Sequence, residues 1–142
     1  MRELYRVLDA NLNRAREGLR VLEEIARFIL EDAVLTAQIK DLRHRLAVLS
    51  DKVPGGMIEL VRARDPIGDV GAGSWTEGEQ TRTDVSGLAL ANLKRVQEAA
   101  RVLEEFGKMA GSVAGEFKKI RYQVYRLEQE MLERLPGPRV ES

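Results

Sequence analysis

The sequence predicts an all-α fold, a helical bundle of two internally repeated αα-hairpins with pseudo-two-fold symmetry and a long glycine-rich loop between the repeats. The first observation is a repeat: ANLNRAREGLRVLEEIARF (10–28) aligns without a gap with ANLKRVQEAARVLEEFGKM (91–109), and ten of nineteen positions are identical. A weaker match in the same order aligns residues 40–49 with 118–127. The second observation is a 3.6-residue apolar period in four long segments, which is typical of helices with one buried face.

The limits of these helices follow from residues that start and stop helices. Asp32 suits the N-cap of the second helix and Thr83 or Asp84 that of the third, because short polar side chains accept hydrogen bonds from free backbone N–H groups. The four expected helices span about 3–31, about 33–50, from Thr83 or Asp84 to about 110, and from Gly111-Ser112 to just before Pro136.

One domain is predicted over residues 1–142, because the chain is long enough for a single core. The segment between the repeats differs in composition: MIELVRA can form one or two helical turns, whereas DPIGDVGAGS is too rich in glycine for a regular helix. The expected parts are repeat A at about 3–50, the inter-repeat loop at about 51–83, repeat B at about 84–135 and a tail at 136–142.

Composition excludes several classes of function. Basic and acidic side chains number 23 each, with no long run of one sign, so the charge pattern of a nucleic-acid-binding or membrane-surface protein is absent. The chain has no cysteine and one histidine, His44, which excludes disulfides, thiolate metal sites, multi-histidine zinc sites and Ser–His catalysis. No apolar run has membrane-spanning length and no signal-peptide pattern is present, so we expect a cytoplasmic protein without nucleic-acid or membrane partners.

Polar residues fall on the apolar side of the long repeat helices. On a helical wheel Asn11 lies in the middle of the apolar arc, Arg14 lies inside it, and Glu17 and Glu24 lie on its edge. The same pattern, N-x-x-R-x-x-E-x₆-E, recurs in the second copy as Asn92, Arg95, Glu98 and Glu105. Buried charges must be paired, hydrogen-bonded or exposed to a wet cleft. We therefore expect these guanidinium groups to point inward, toward a hollow shared by the two helices.

Two interpretations of this pattern remain open. The first is a structural network of arginine, glutamate and asparagine that ties the halves together. The second is a polar cleft in which arginines bind phosphate and glutamates bind Mg²⁺ or a ligand amine. Arg43 and Arg121 match each other in the shorter helices and either join this site or lie at the surface. Residues on the opposite side of the wheel, including Glu23, are interpreted as solvent-facing.

The inter-repeat loop D65-P-I-G-D-V-G-A-G-S74 offers free backbone N–H groups and the Asp69 carboxylate. Glycine-rich loops can bind phosphate, but this one lacks the Gly-Lys-Ser/Thr of a P-loop and does not follow a strand. A mobile linker is the alternative interpretation.

The stretches YRVLDANLNRAREGLRVLEEIARF, RDPIGDVG and ANLKRVQEAARVLEEFGK resemble the all-helical hydroxymethylpyrimidine-phosphate kinase family, a domain often fused N-terminal to thiamine-phosphate synthase. The resemblance implies phosphorylation of hydroxymethylpyrimidine phosphate to the diphosphate, with ATP as co-substrate and Mg²⁺. It also implies small-molecule substrates and thiamine-phosphate synthase as a candidate partner, beside a candidate homodimer. The family's loop has a form closer to R-D-T-x-G-D-V-G, and Pro66 stands here in place of the threonine.

Combining the wheel with this chemistry gives three sets of candidate residues. The expected catalytic residues are Arg14, Arg95, Glu17 and Glu98. The expected substrate- and phosphate-binding residues are Asn11, Asn92, Arg43, Arg121, Gly68, Asp69 and Gly71. The expected Mg²⁺ ligands are Glu24 and Glu105. The alternative function is a non-catalytic helical module for dimerisation or for docking on thiamine-phosphate synthase.

Overall fold

The computed structural model describes residues 2–73 and 81–136, and every regular element in these ranges is helical. The all-α prediction is therefore confirmed. The α-helices are α1 (Arg2–Glu24), α2 (Ala33–Lys52), α3 (Gly56–Arg62), α4 (Val85–Gly107) and α5 (Ala114–Arg134). The short helix α3 falls in the segment for which one or two helical turns were expected.

The end of the first helix differs from the prediction of a continuous α-helix to about residue 31. A π-helical turn, Ile25–Ile29, follows α1, and the Leu30 N–H donates to the Ile25 carbonyl at 3.0 Å. The wider turn keeps Ile25 in the core but leaves Phe28 and Ile29 62% and 54% exposed. On a uniform helical wheel both residues fall within the apolar arc. A π-turn shifts the angular position of every later side chain, which a uniform 3.6-residue period cannot represent.

Both predicted N-caps are confirmed. An Asp32 carboxylate oxygen accepts a hydrogen bond from the Leu35 N–H at 2.9 Å, and an Asp84 oxygen accepts one from the Gly87 N–H at 2.6 Å. Each satisfies one of the backbone donors left free at a helix start. The caps fix where the second helix of the first hairpin and the first helix of the second hairpin begin.

An equivalent ion pair joins the two helices of each hairpin. Glu23 of α1 pairs with Arg43 of α2 at 3.1 Å, and Glu104 of α4 pairs with Arg121 of α5 at 2.8 Å. The two glutamates correspond in the first repeat match and the two arginines in the second. Both hairpins therefore hold their helices together with equivalent residues.

The hairpins meet along two helix pairs. On one side the Asp32 carboxylate at the start of α2 pairs with Arg134 at the end of α5 at 2.6 Å, and Arg45 hydrogen-bonds Gln123 between the same helices. These contacts make α2 antiparallel to α5. Because each hairpin is itself antiparallel, α1 is also antiparallel to α4, and the packing of α1 on α4 is the most extensive in the molecule.

A single hydrophobic cluster fills the space between the four long helices. Its fully buried members include Leu8, Leu46, Leu103 and Phe117, one from each long helix. None of the described helices is long and apolar enough to span a membrane. The core fixes α1 and α4 side by side, and the asparagines, arginines and glutamates of the repeated N-x-x-R-x-x-E-x₆-E pattern lie on this pair.

Candidate functional site

Close packing of α1 on α4 is set by small residues. A Cβ atom placed on Gly18 would lie 2.7 Å from Val96 Cγ2 and 3.3 Å from the Asn92 carbonyl oxygen. Ala15 and Ala99 are also buried at this contact. Since the helices are antiparallel, this register places residues 14–15 opposite residues 95–96, near the middle of both helices. These small residues let the helices approach each other and do not form a ligand cavity.

The two asparagines occupy the predicted inward positions, Asn11 buried and Asn92 half-buried. Each side-chain amide donates to a carbonyl of its own helix, Asn11 to Val7 and Asn92 to Leu88, both at 2.9 Å. An Arg14 N–H also donates to the Asn11 side-chain oxygen at 3.4 Å. Asn11 therefore helps to orient Arg14, while substrate binding by the amides stays a prediction.

Arg14 and Arg95 are exposed, so the prediction that they point into a shared hollow is wrong. The reason is the width of the apolar arc, which had been drawn to include Phe28. Phe28 is itself exposed and Val21 is only half-buried, so the buried arc begins at Ile25, past the angular position that Arg14 and Arg95 share. Their guanidinium groups lie on the side of the α1–α4 pair that faces away from α2 and α5.

Glu17 and Glu98 are exposed on the same side by helical period. We call the surface formed by Arg14, Glu17, Arg95 and Glu98 the outer face, together with the half-buried Val21 and Val102, which follow the glutamates on the same side of each helix. Within the described residues, none of these four charged side chains forms an ion pair. The outer face thus carries two unpaired guanidinium groups and two unpaired carboxylates.

The predicted Mg²⁺ ligands are already paired with cations. Glu24 pairs with Arg20 at 3.2 Å, and Glu105 pairs with Arg101 at 3.0 Å and with Lys108 at 3.1 Å. Across residues 2–73 and 81–136, no group of three or more acidic or histidine side chains could hold a metal ion. A magnesium role for Glu24 and Glu105 stays a prediction, and it would require them to exchange these partners.

Arg43 and Arg121 lie away from the outer face, inside the hairpins, where they bind carboxylates. Arg121 donates to Glu104 at 2.8 Å and to the Tyr125 hydroxyl at 3.2 Å. The hydrogen bond from Arg121 holds the pKa of Glu104 below its ordinary value of 4.5, against the opposing effect of burial. Neither arginine is free to bind phosphate while these pairs are intact, so the structure favours the alternative of a structural role.

Glu23 is only 5% exposed, so its interpretation as a solvent-facing residue is wrong. Its position opposite the apolar stripe faces the neighbouring helix α2, and Arg43 there neutralises its charge. The sequence contains a signal for this contact. Glu23 and Glu104 are identical in the first repeat match, and Arg43 and Arg121 are identical in the second.

The described part of the glycine-rich loop is held by its own aspartates. Asp65 accepts a hydrogen bond from the Gly68 N–H and Asp69 accepts one from the Gly71 N–H, both at 2.9 Å. Gly68, Asp69 and Gly71 are all exposed. A cleft of about 140 Å³ lies beside them, lined by Arg6, Arg64, Asp65, Pro66 and Asp69. The end of the predicted loop, from Ser74, and Trp75 lie outside the described residues.

A two-pronged ion pair attaches this loop to α1. Arg64 donates to the two carboxylate oxygens of Asp9 at 2.6 and 2.8 Å, and Asp9 is buried. Arg6, one turn earlier on α1, lines the adjacent cleft. Within the described residues the loop is therefore attached to the first repeat, and the two halves differ in this contact.

A model of the ThiD2 family matches residues 6–130. The chain belongs to the ThiD2 family. The match includes both hairpins, the loop and all four charged residues of the outer face, so these are parts of one family domain. No solved structure matches the chain.

Relatives of this ThiD2-family chain include two proteins named thiamine-phosphate synthase. One, from Rhodopirellula baltica, is 47% identical over 137 residues, which are 96% of this chain and 36% of the relative. Another, from Synechocystis, is 49% identical over 130 residues, which are 91% of this chain and 36% of the relative. The chain therefore spans about a third of the length of these relatives, which carry further sequence beyond the ThiD2-family region.

Proposed function

We propose that this ThiD2-family chain is a kinase of thiamine biosynthesis that phosphorylates hydroxymethylpyrimidine phosphate to the diphosphate, with ATP as donor and Mg²⁺. Membership of the family, and relatives named thiamine-phosphate synthase, support the pathway. The observation that carries the reaction is the outer face, where Arg14 and Arg95 lie near the crossing of α1 and α4 without a carboxylate partner.

The reaction needs electrostatic stabilisation more than acid–base catalysis. An oxygen of the substrate phosphate attacks the γ-phosphorus of ATP, the bond from that phosphorus to the β–γ bridging oxygen breaks, and ADP leaves. The attacking phosphate has a second pKa near 6 and is mostly ionised at neutral pH, so no strong base is required. The barrier is the approach of two anions, which guanidinium groups and Mg²⁺ reduce. A face with arginines and glutamates suits this demand.

Each residue of the outer face has a proposed role. Arg14 and Arg95 bind the phosphates on either side of the transferred group, and the Asn11 amide orients Arg14. Glu17 and Glu98 are unpaired carboxylates, which fits Mg²⁺ because this ion is usually held by one or two carboxylates together with substrate phosphates. The same carboxylates could instead accept hydrogen bonds from the aminopyrimidine. Asp69 and its loop, attached to α1, close over the nucleotide.

An assay of ADP release with hydroxymethylpyrimidine phosphate as acceptor tests this function. We expect Mg²⁺-dependent turnover by the wild type, and a loss of about 100-fold or more in kcat for Arg14→Ala and for Arg95→Ala, as for removal of a transition-state donor. Arg62→Ala is the matched control, because Arg62 is an exposed arginine on α3 whose one ion pair among the described residues is with Glu59. Absence of ADP from folded wild type, or full activity of both outer-face variants, would overturn the proposal.

A second candidate is a non-catalytic module that docks on thiamine-phosphate synthase. The observation that favours it is an apolar surface on the insert, where Met57, Ile58 and Val61 of α3 are 40%, 65% and 44% exposed and Ile67 of the loop is 97% exposed. The relatives named thiamine-phosphate synthase join a region like this chain to additional sequence, which supports docking between the two parts when they are separate chains. Wild type that releases no ADP but binds purified thiamine-phosphate synthase, with loss of binding in Ile58→Glu, would support this module.

A further inference from the structure

We infer that the outer face is covered by a second copy of this chain, and that the second copy completes the site. The first half of this inference rests on the surface of the α1–α4 pair alone. The second half rests on the proposed kinase function. The two halves are tested by different measurements.

Charge is the first reason for choosing a second copy as the occupant. A two-fold dimer interface uses the same patch on both subunits, so the patch must be complementary to itself. The outer face has two guanidinium groups and two carboxylates, arranged as Arg14–Glu17 and Arg95–Glu98 on antiparallel helices, and none is neutralised within the described chain. A two-fold rotation can set each arginine against a glutamate of the other copy. A uniformly charged partner would leave half of these groups opposed by like charge.

Apolar exposure on the same surface is the second reason. Val21 and Val102, both half-buried, lie about one turn beyond Glu17 and Glu98 on the same side of their helices. Toward the end of α4, Phe106 is 40% exposed although its counterpart in the first repeat, Ile25, is 2% exposed, and Met109 after α4 is 63% exposed. Aromatic residues and methionine are enriched in protein–protein interfaces, so Phe106 and Met109 favour a protein as the occupant of this surface.

The available area is adequate for a stable dimer. Two helices of 23 residues are each about 35 Å long at 1.5 Å per residue. Lying about 9 Å apart, they present a surface about 20 Å wide. The flat projection is then roughly 700 Å² per copy, and side-chain relief increases it toward the ~800 Å² per partner of a standard interface.

The proposed kinase site is incomplete in one copy because its arginines are exposed to water. The described clefts lie elsewhere, between α2 and α5 and at the loop, so Arg14 and Arg95 face open solvent. Guanidinium groups act on phosphates far more strongly where water is excluded, because the effective dielectric constant is lower. In the substrate complex the reacting phosphates would replace the other copy's glutamates as partners of Arg14 and Arg95, enclosed between the two copies.

Sedimentation velocity of the full chain without substrate tests the dimer, since the chain mass is 16.0 kDa. We expect twice this mass for wild type at micromolar concentration. Val102→Glu should raise the dissociation constant at least tenfold, because it places an added charge at an apolar position of the interface. The matched control is Ile58→Glu on α3, which should keep the wild-type mass. A monomeric wild type, or a dimer broken by Ile58→Glu and kept by Val102→Glu, would overturn the inference.

A cross-linking experiment tests the same interface without the Val102→Glu variant, which could fail to fold. The sequence has no cysteine, so Val102→Cys and Ile58→Cys each supply one thiol per chain. We expect a short bismaleimide to join two copies of the Val102→Cys chain and to leave Ile58→Cys largely monomeric. The reverse pattern would contradict the outer face as the interface.

Comparison with the ADP assay separates the two halves. A dimer that dissociates in Val102→Glu but shows no turnover as wild type would leave the interface standing and remove the kinase. Full turnover by monomeric Val102→Glu would keep the kinase and overturn completion of the site by the second copy.

Discussion

At the scale of single residues, the contact between the repeats depends on the absence of a side chain at Gly18. Its counterpart in the second repeat is Ala99, which is also buried, so the two copies differ by one methyl group at this contact. The alignment shows that difference but not its cause. The structure supplies the cause, because Val96 and the Asn92 carbonyl occupy the space where the methyl group of an alanine at position 18 would lie.

Gly18→Ala should lower the free energy of unfolding by about 1 kcal/mol or more. A methyl group would lie 2.7 Å from Val96 Cγ2, and a β-branched side chain in a helix cannot easily rotate away. Overpacking typically costs about 1–3 kcal/mol, which outweighs the gain of up to about 1 kcal/mol in helix propensity. Urea denaturation monitored by circular dichroism measures the change.

Gly115 of α5 is the matched control, because no atom lies within 4 Å of an added Cβ there. Gly115→Ala should leave the stability unchanged or raise it by up to about 1 kcal/mol. In a Val96→Ala background the cost of Gly18→Ala should shrink, since the opposing methyl groups are gone. An equal cost in both backgrounds would show that the α1–α4 contact is not the source.

At the scale of helices, one ion pair joins the two helices of each hairpin: Glu23 with Arg43 in the first and Glu104 with Arg121 in the second. The limits of the helices were predictable because caps are local: Asp32 and Asp84 bond backbone groups three residues ahead. The ion pairs were not predicted, because a wheel shows which side of one helix a residue occupies and not which helix lies beside it.

Glu104→Gln should destabilise the chain at neutral pH and flatten the acid limb of its stability profile. Arg121 lowers the pKa of Glu104 in the folded chain, so the charged pair stabilises the fold above the ordinary value of 4.5. That contribution is lost as the pH falls through the lower folded-state pKa. Breaking a buried pair costs about 3 kcal/mol at neutral pH, because Arg121 is left without its counter-charge.

Denaturant titrations of wild type and Glu104→Gln across the acid range provide the measurement. The control is Glu98→Gln on the outer face, which has no ion pair in the described chain and should change stability by no more than about 0.5 kcal/mol. If Glu104→Gln keeps the wild-type dependence on pH below 4.5, the ion pair does not account for the acid limb.

At the scale of the whole molecule, the insert decides how the two halves differ. The bidentate contact of Arg64 with Asp9 places the loop against α1, and the described chain shows no such loop against α4. Repeats derived from one ancestor have equivalent helices, but a segment that occurs once can contact only one of them. In the described chain the two halves therefore differ in this contact, although their helices correspond.

Asp9→Asn should release the loop from α1 without unfolding the bundle. The amide keeps the shape of the carboxylate but loses the charge-assisted pair with Arg64, and hydrogen bonds to ions are roughly twice as strong as neutral ones. We expect faster hydrogen exchange at the backbone amides of residues 65–73, with unchanged exchange in α5. The control is Glu128→Gln, which weakens an ion pair with Lys94 inside the second hairpin, away from the loop. Unchanged exchange in the loop would show that Asp9 does not hold it.

The sequence by itself determined the helices, their caps and the repeat, because apolar period, capping and duplication are written in neighbouring residues. It also led to the outer-face residues, although it placed Arg14 and Arg95 in the interior. Tertiary structure alone decided which side of each helix meets another helix, that Glu23 and Arg43 satisfy each other, and that Asp9 holds the loop. The physical reason is that burial and ion pairing depend on what lies across the gap from a side chain, and residues 55 positions apart become neighbours only when the chain has folded.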